Sequence, residues 1–165
     1  MTIRDFLKSR HIWHESLLHP PMSSTSKLAQ VAHVPGRHVA KGVLIRAGEG
    51  YVLAVLPATS RIDMGRLSQI LDGAPVTLAT EDEMECVFEN CERGALPPFG
   101  RLYGLRTLVD ASLAAGSEIV CVGNSRHEGV RLRWSDYEAV EAPIRARFAI
   151  IPDPRQRRTT HRRAS

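Results

Sequence analysis

Short apolar runs separated by glycine, proline and small polar residues dominate this chain. Val39-Ala40-Lys41-Gly42-Val43-Leu44-Ile45 and Val52-Leu53-Ala54-Val55-Leu56 read as largely buried strands, at about 39–46 and 51–57. The intervening Ala47-Gly48-Glu49-Gly50 predicts a hairpin turn. Ile12 to Leu18, Val76 to Ala79, Leu105 to Val109, Glu118 to Gly123 and Gly129 to Trp134 read as further strands. The last two pair across Asn124-Ser125-Arg126-His127. Helices fall between them. Ile3 to Arg10 is a short one, and Ser23 or Ser24 can N-cap another that runs to about His33 and ends at Pro35-Gly36. Asp63 caps a helix to about Leu71, closed by Asp72-Gly73. Thr80 with Glu83 forms a capping box for a helix through Phe88, and Ser135 caps a last helix through about Glu141. Short strands and helices interspersed without regular βαβ spacing predict an α+β fold.

One residue breaks the apolar pattern. Lys41 interrupts a run that otherwise reads as buried, in a chain with three lysines against nineteen arginines. A charged side chain is almost never fully buried in such a strand without a partner. Where arginine is the usual cation, a lone ammonium is a compact point charge with an adjustable pKa. The alternative is a strand-end lysine whose head snorkels into water.

A second feature is Glu92-Arg93-Gly94-Ala95-Leu96-Pro97-Pro98-Phe99-Gly100. Glycines bracketing a Pro-Pro pair exclude helix and central strand. Proline fixes φ and glycine permits close approach of backbone to a ligand, so the segment reads either as a stiff loop with aimed amides or as a structural turn.

Taken together, these elements resemble the YbaK/prolyl-tRNA-synthetase insertion-domain family of aminoacyl-tRNA deacylases. The matching pieces occur in the family's order: Ser23-Ser24-Thr25-Ser26, the Val-Ala-Lys strand, Val52 to Ala58, Ile62-Asp63-Met64, and Leu78 to Met84. The loop Gly94 to Gly100, Tyr103-Gly104-Leu105 and Val109-Asp110 complete the series, which covers roughly residues 11 to 145. The resemblance implies a mixed, mainly antiparallel sheet curled into a barrel-like core with short helices around it. It also implies hydrolysis of the ester of mischarged tRNA carrying a small amino acid, without metal or cofactor. Mischarged tRNA and an aminoacyl-tRNA synthetase are the implied partners.

An aminoacyl ester is activated, so such an enzyme needs to position it, supply donors for the developing oxyanion and present a water. By resemblance, Lys41 would contact the terminal adenosine or its phosphate and steady the ester. Gly94 and its neighbours Ala95, Leu96, Pro97 and Gly100 would hold the carbonyl. The substrate's own terminal ribose hydroxyl would help to activate the water. His127, in the turn after Gly123, is a pocket candidate, with a solvated turn histidine as the alternative. Gly42 departs from several relatives, which carry a polar side chain such as Asn or Thr there, so the resemblance leaves the edited amino acid open. The competing class is a non-catalytic tRNA- or other RNA-binding or adaptor module on the same fold. A small-ester hydrolase has no Gly-x-Ser-x-Gly motif to support it.

Composition narrows the rest. Charged residues at 24% and hydrophobic ones at 43% fit a globular protein, and no eighteen apolar residues run together, so no membrane span is expected. The segment Met1 to Phe6 lacks an apolar signal core, and Cys86, Cys91 and Cys121 form no Cys-x-x-Cys pattern, which together predict a reducing cytoplasm. His11-x-x-His14 in a strand would put its rings on opposite faces, a poor metal pair. Within the net charge of +4, the stretch from Pro152 onward holds five arginines and one aspartate, leaving seventeen basic and seventeen acidic side chains before it. The expected organisation is one editing domain over 1–151 and a basic, disordered tail over 152–165, either an arm that meets phosphates or a solvated end.

Overall fold

The computed structural model describes residues 1–18 and 25–153. Five helices are described: α1 (Ile3–Ser9), α2 (Thr25–Ala32), α3 (Met64–Ile70), α4 (Glu81–Val87) and α5 (Trp134–Glu141). The strands are β1 (Glu15–Leu18), β2 (Val39–Ala47), β3 (Gly50–Pro57), β4 (Arg61–Ile62), β5 (Val76–Leu78), β6 (Arg106–Asp110), β7 (Glu118–Val122), β8 (Glu128–Arg133), β9 (Ile144–Ala146) and β10 (Ala149–Ile150).

The fold is α+β, as expected. Its main sheet runs β1-β8-β7-β2-β3-β6-β9, with β5 added to β2, and β4 pairs separately with β10. The hairpins β2–β3 and β7–β8 are antiparallel, as are β1–β8 and β2–β5. The longer connections bring β7 onto β2, β6 onto β3 and β9 onto β6 in parallel. This path is open, ending at β1 and β9.

Local chemistry explains most of the elements. Thr80 and Glu83 make the reciprocal capping box at α4, and Asp63 caps α3 through the Arg66 amide. Asp72 and Gly73 both take positive φ where α3 ends. Two expectations need correction. The strand expected from Ile12 begins at Glu15, because the segment before it closes α1: His11 has φ 56° and the Ile12 amide donates to the Leu7 carbonyl. Ser135 does not cap α5; Arg133 stands at the cap position, and the Trp134 amide is taken by the Ser117 carbonyl. The short strands β4, β9 and β10 have no apolar run long enough to announce them. Ser23 and Ser24 lie outside the described residues, as does the chain from Pro154.

Alternation along β2 and β3 divides the core. Ala40 and Leu44 on β2, with Leu53 and Val55 on β3, belong to one cluster with Ile3, Leu7, Phe88, Phe99, Trp134 and Tyr137. Ile45, Val52, Ala54 and Leu56 point the other way, against Leu67 of α3 and Phe148. Val39 joins Leu28, Ala29 and Ala32 of α2 in a third cluster. Asp110 ties the C-terminal strands to the sheet. Its Oδ1 accepts the Phe148 and Ala149 amides at 2.9 Å each, and its Oδ2 accepts the Ser112 amide and hydroxyl.

Candidate active site

The edge of β2 is interrupted at one place. On that edge β7 pairs only with Val39 and Ala40, and β5 only with Ile45 to Ala47. The carbonyl of Val39 faces the β3 side, bonded by the Ala58 amide, while that of Leu44 faces the open edge, bonded by Ala79. Backbone groups alternate along a strand, so the amide and carbonyl of Gly42 also point to the open edge. The ladder to β7 stops before reaching them. Lys41, Gly42 and Val43 therefore border a notch between the ends of β7 and β5.

Lys41 and Gly42 look to opposite faces across this notch. Lys41 lies opposite Leu56 on β3, on the face shared with Val39 and Val43, between the clusters under α2 and α3. It is half-buried, and burial holds its pKa below the usual lysine value. Among the described residues no carboxylate lies within ion-pair distance of it.

Gly42 meets the glycine–proline loop. A Cβ at Gly42 would stand 3.2 Å from the Leu96 carbonyl oxygen and 3.2 Å from Leu53 Cδ1, with the Pro97 carbonyl at 3.7 Å. A side chain here would have to push the loop outward. On this face a cavity of about 250 Å³ is lined by Gly42, Met84, Phe88, Cys91 and Leu96, with Gly94 and Ala95 at its wall. Glu81, Glu85, Glu92 and Arg93 also line it. Arg93 bridges Glu81 at 2.6 Å and Glu85 at 3.3 Å, so the rim remains net acidic.

The loop itself passes from solvent into the core. Gly94 is exposed with φ +86°, a conformation that favours glycine, whereas Pro97, Pro98, Phe99 and Gly100 are buried. The turn after β7 supports the loop's first half: the Glu92 amide donates to the Asn124 carbonyl at 2.8 Å, and the Arg126 amide to Glu92 Oε2 at 2.9 Å. That second bond, foremost, holds the Glu92 carboxyl below its usual range. The stem of Arg126 lies against Gly94, its Cδ 3.5 Å from where a Cβ would be.

The structure thus brings together some of the residues singled out from sequence and separates others. Gly94, Ala95 and Leu96 share the cavity with Gly42. Lys41 stands at the other lip of the notch, outside that cavity. Pro97 and Gly100 do not line it, and Gly100 has a packing reason to lack a side chain: a Cβ would come within 2.4 Å of Thr107 Oγ1. His127 is exposed and does not line this cavity; Arg126 beside it is the residue whose stem lies against Gly94. The α4 wall and the Glu92–Arg126 tie carry no motif. Only the i, i+3/i+4 spacing of Met84, Phe88 and Val87 could have announced an apolar face there. His14 Nδ1 is occupied by the Ile12 carbonyl at 2.9 Å, and among the described residues no cluster of three or more His, Cys, Asp or Glu could hold a metal. No helix among them is long and apolar enough to cross a membrane.

Comparison with known proteins identifies the family. The sequence profile of the aminoacyl-tRNA editing domain matches residues 19–140, and the chain belongs to that family, which is the YbaK-like one. It is 26% identical over 105 residues to the proline–tRNA ligase of Lactobacillus gasseri, and 28% identical over 106 residues to that of Thiobacillus denitrificans. Those stretches cover 64% of this chain but only 18% of either ligase, so the chain spans under a fifth of the curated relatives it matches. Among solved structures, a candidate trans-editing enzyme for prolyl tRNA synthetase superposes with a TM-score of 0.80 at 19% identity, over 90% of this chain and 94% of that one. The hypothetical protein APE2540 superposes at 0.81 with 17% identity, over 90% and 99%. These two likenesses concern the fold.

Proposed function

We propose that this chain is a free-standing aminoacyl-tRNA deacylase that hydrolyses the ester of mischarged tRNA carrying a small amino acid. The observation that carries the reading is the half-buried, carboxylate-free Lys41 beside the interrupted edge of β2, where the glycine–proline loop docks. A half-buried point charge bordering this notch suits an anion or a polar ligand that enters it.

In this reading the terminal nucleotide enters the notch. Lys41 meets the terminal adenosine or its phosphate from one lip, and the Gly94–Leu96 backbone holds the ester carbonyl from the other. The family resemblance gives the task of orienting the water to the ribose hydroxyl next to the ester. The acidic rim of Glu81, Glu85 and Glu92 suits the protonated amino group of the aminoacyl moiety and repels phosphate, so the tRNA backbone approaches from the Lys41 side. Small amino acids are favoured because one methylene yields only about 1–3 kcal/mol of discrimination in a synthetase pocket, and such near-isosteres escape it. A synthetase is the natural partner of this activity, since it supplies the mischarged tRNA.

Purified protein incubated with tRNAs mischarged with alanine, serine, threonine and an aromatic residue tests the reading, amino-acid release being measured. Release from the small ones, abolished in a folded Lys41→Ala protein and severely reduced in Lys41→Arg, is the expected result, because a planar fork does not replace a point charge. Near-normal turnover by folded Lys41→Ala would refute the role of Lys41. Preferential release of the aromatic would refute the substrate class. Tight tRNA binding with no release from any of them would instead favour an adaptor module.

A further inference from the structure

The glycine–proline loop hangs between two supports, and α5 is the second. Tyr137 and Glu141 lie one helical turn apart and so face the same way. The buried Tyr137 hydroxyl donates to the Pro98 carbonyl at 2.8 Å. Glu141 Oε1 accepts the Arg101 amide at 2.9 Å and the Thr107 hydroxyl at 2.5 Å, and the Arg101 guanidinium returns to the Val140 carbonyl at 3.4 Å. Pro98 and Arg101 are therefore held by α5, while Glu92 is held by the turn after β7. Leu96 and Pro97 lie between these supports, their carbonyls over Gly42. No ladder fixes the height of the loop above β2 at this point, so its end anchors set that height.

We propose that Tyr137 and Glu141 are positioning residues for the editing reaction: by gripping Pro98 and Arg101 they set how closely Gly94 to Leu96 approach the notch at Gly42. This rests on the deacylase reading above. Neither side chain needs to touch substrate; both act through the loop. A group that holds an ester carbonyl is sensitive to small displacements, since a misplacement of about 1 Å can cost around a hundredfold in rate.

Glu141 makes the grip depend on pH. Its side chain is buried at 3% exposure, its Oε2 has no hydrogen-bond partner among the described residues, and burial pushes its pKa up to about 7. The titratable and charged groups facing it are the Arg101 guanidinium and, on its own helix, the Tyr137 hydroxyl; β6 contributes the neutral Thr107. Above neutrality the carboxyl becomes a buried carboxylate whose desolvation outweighs its hydrogen bonds to the Arg101 amide and Thr107, so release of the grip into water becomes easier as pH rises. Glutamine at this position keeps an acceptor in place but never acquires the charge.

The test compares wild type with Y137F and E141Q in two measurements: deacylation of mischarged tRNA from pH 6 to 8, and hydrogen-exchange protection of the amides from Phe99 to Leu105. Y137F is expected to lose about tenfold in kcat with KM within about twofold of wild type. E141Q is expected to match wild type near pH 6 and to hold its rate as pH rises while wild type falls behind, its profile lacking the inflection near 7. The protection factor of the Arg101 amide should fall over the same range in wild type and stay flat in E141Q. Unchanged kcat and pH profile in folded Y137F and E141Q, on a wild type that deacylates, would overturn the proposal alone. A wild type inactive on every mischarged tRNA would overturn the deacylase reading instead, and the exchange data, which need no activity, tell the two failures apart.

Discussion

Replacing Glu141 with glutamine is expected to change how stability depends on pH, and the size of the change follows from the burial of the carboxyl. An unfolded glutamate titrates at 4.5, whereas Glu141 in the folded chain titrates at about 7. Between those values the folded state binds more protons than the unfolded one, so stability falls as pH rises. The loss begins near pH 4.5 and is complete above about 7. The shift of about 2.5 units, at about 1.36 kcal/mol each, is worth roughly 3 kcal/mol over the whole range and about 2–3 kcal/mol between pH 5 and 8. Glutamine preserves the acceptor toward the Arg101 amide and Thr107 and removes the titration. Its extra amide hydrogens beside the unpartnered Oε2 position add a cost that does not vary with pH. Denaturant unfolding of both proteins at pH 5, 6, 7 and 8 isolates the difference, because every other group titrates alike in the two. The wild type should lose about 2–3 kcal/mol relative to E141Q from pH 5 to pH 8. Parallel stability curves would show that Glu141 ionises as freely in the folded chain as in the unfolded one, and the argument from burial would fail.

Other substitutions test other parts of the architecture. Gly100→Ala forces a Cβ to within 2.4 Å of Thr107 Oγ1 and should cost about 1–3 kcal/mol in urea unfolding, as overpacked cores do; an unchanged midpoint would refute the packing role. Gly94→Ala meets only ordinary contact with the Arg126 stem but keeps φ +86°, so it should cost only about 1–2 kcal/mol while reducing deacylation far more than Gly100→Ala does at matched folded fraction. Asp110→Ala orphans the Phe148, Ala149 and Ser112 amides and should cost about 3 kcal/mol or more, read from the same denaturant midpoint. Burial pushes the Asp110 pKa upward, but the Ser112 hydroxyl and those amides outweigh it and hold the carboxyl low, so its contribution should persist at neutral pH and fade only in acid. Truncation after Ile151 removes five arginines; if most of them meet phosphate, the slope of log K for tRNA against log salt should flatten by roughly 2–4, and an unchanged slope would mark the tail as a solvated end.

What the sequence determined by itself was local. The capping box at Thr80 and Glu83, the Asp63 cap, the turn between β2 and β3 and the helix stop at Asp72-Gly73 depend on residues within a few positions of one another, and each appears where the pattern puts it. Lys41 stood out because charge in an apolar strand is costly whatever surrounds it. Tertiary structure decided everything that depends on contacts between distant segments. It opened the edge of β2 at Lys41 and Gly42 by ending β7 on one side and starting β5 on the other, and it laid the Leu96 carbonyl on Gly42 from more than fifty positions away. It also gave Gly100 a packing duty to Thr107 and laid the Arg126 stem against Gly94. Nothing in the order Tyr137-Glu138-Ala139-Val140-Glu141 shows which of its two glutamates is buried. Glu141 becomes an anchor with a shifted pKa because the fold brings the Arg101 amide and Thr107 to it, while Glu138 faces Arg145 near solvent. Capping and turn formation are settled by near neighbours along the chain. Burial and desolvation depend on what the rest of the fold packs against a side chain, which only the assembled structure determines.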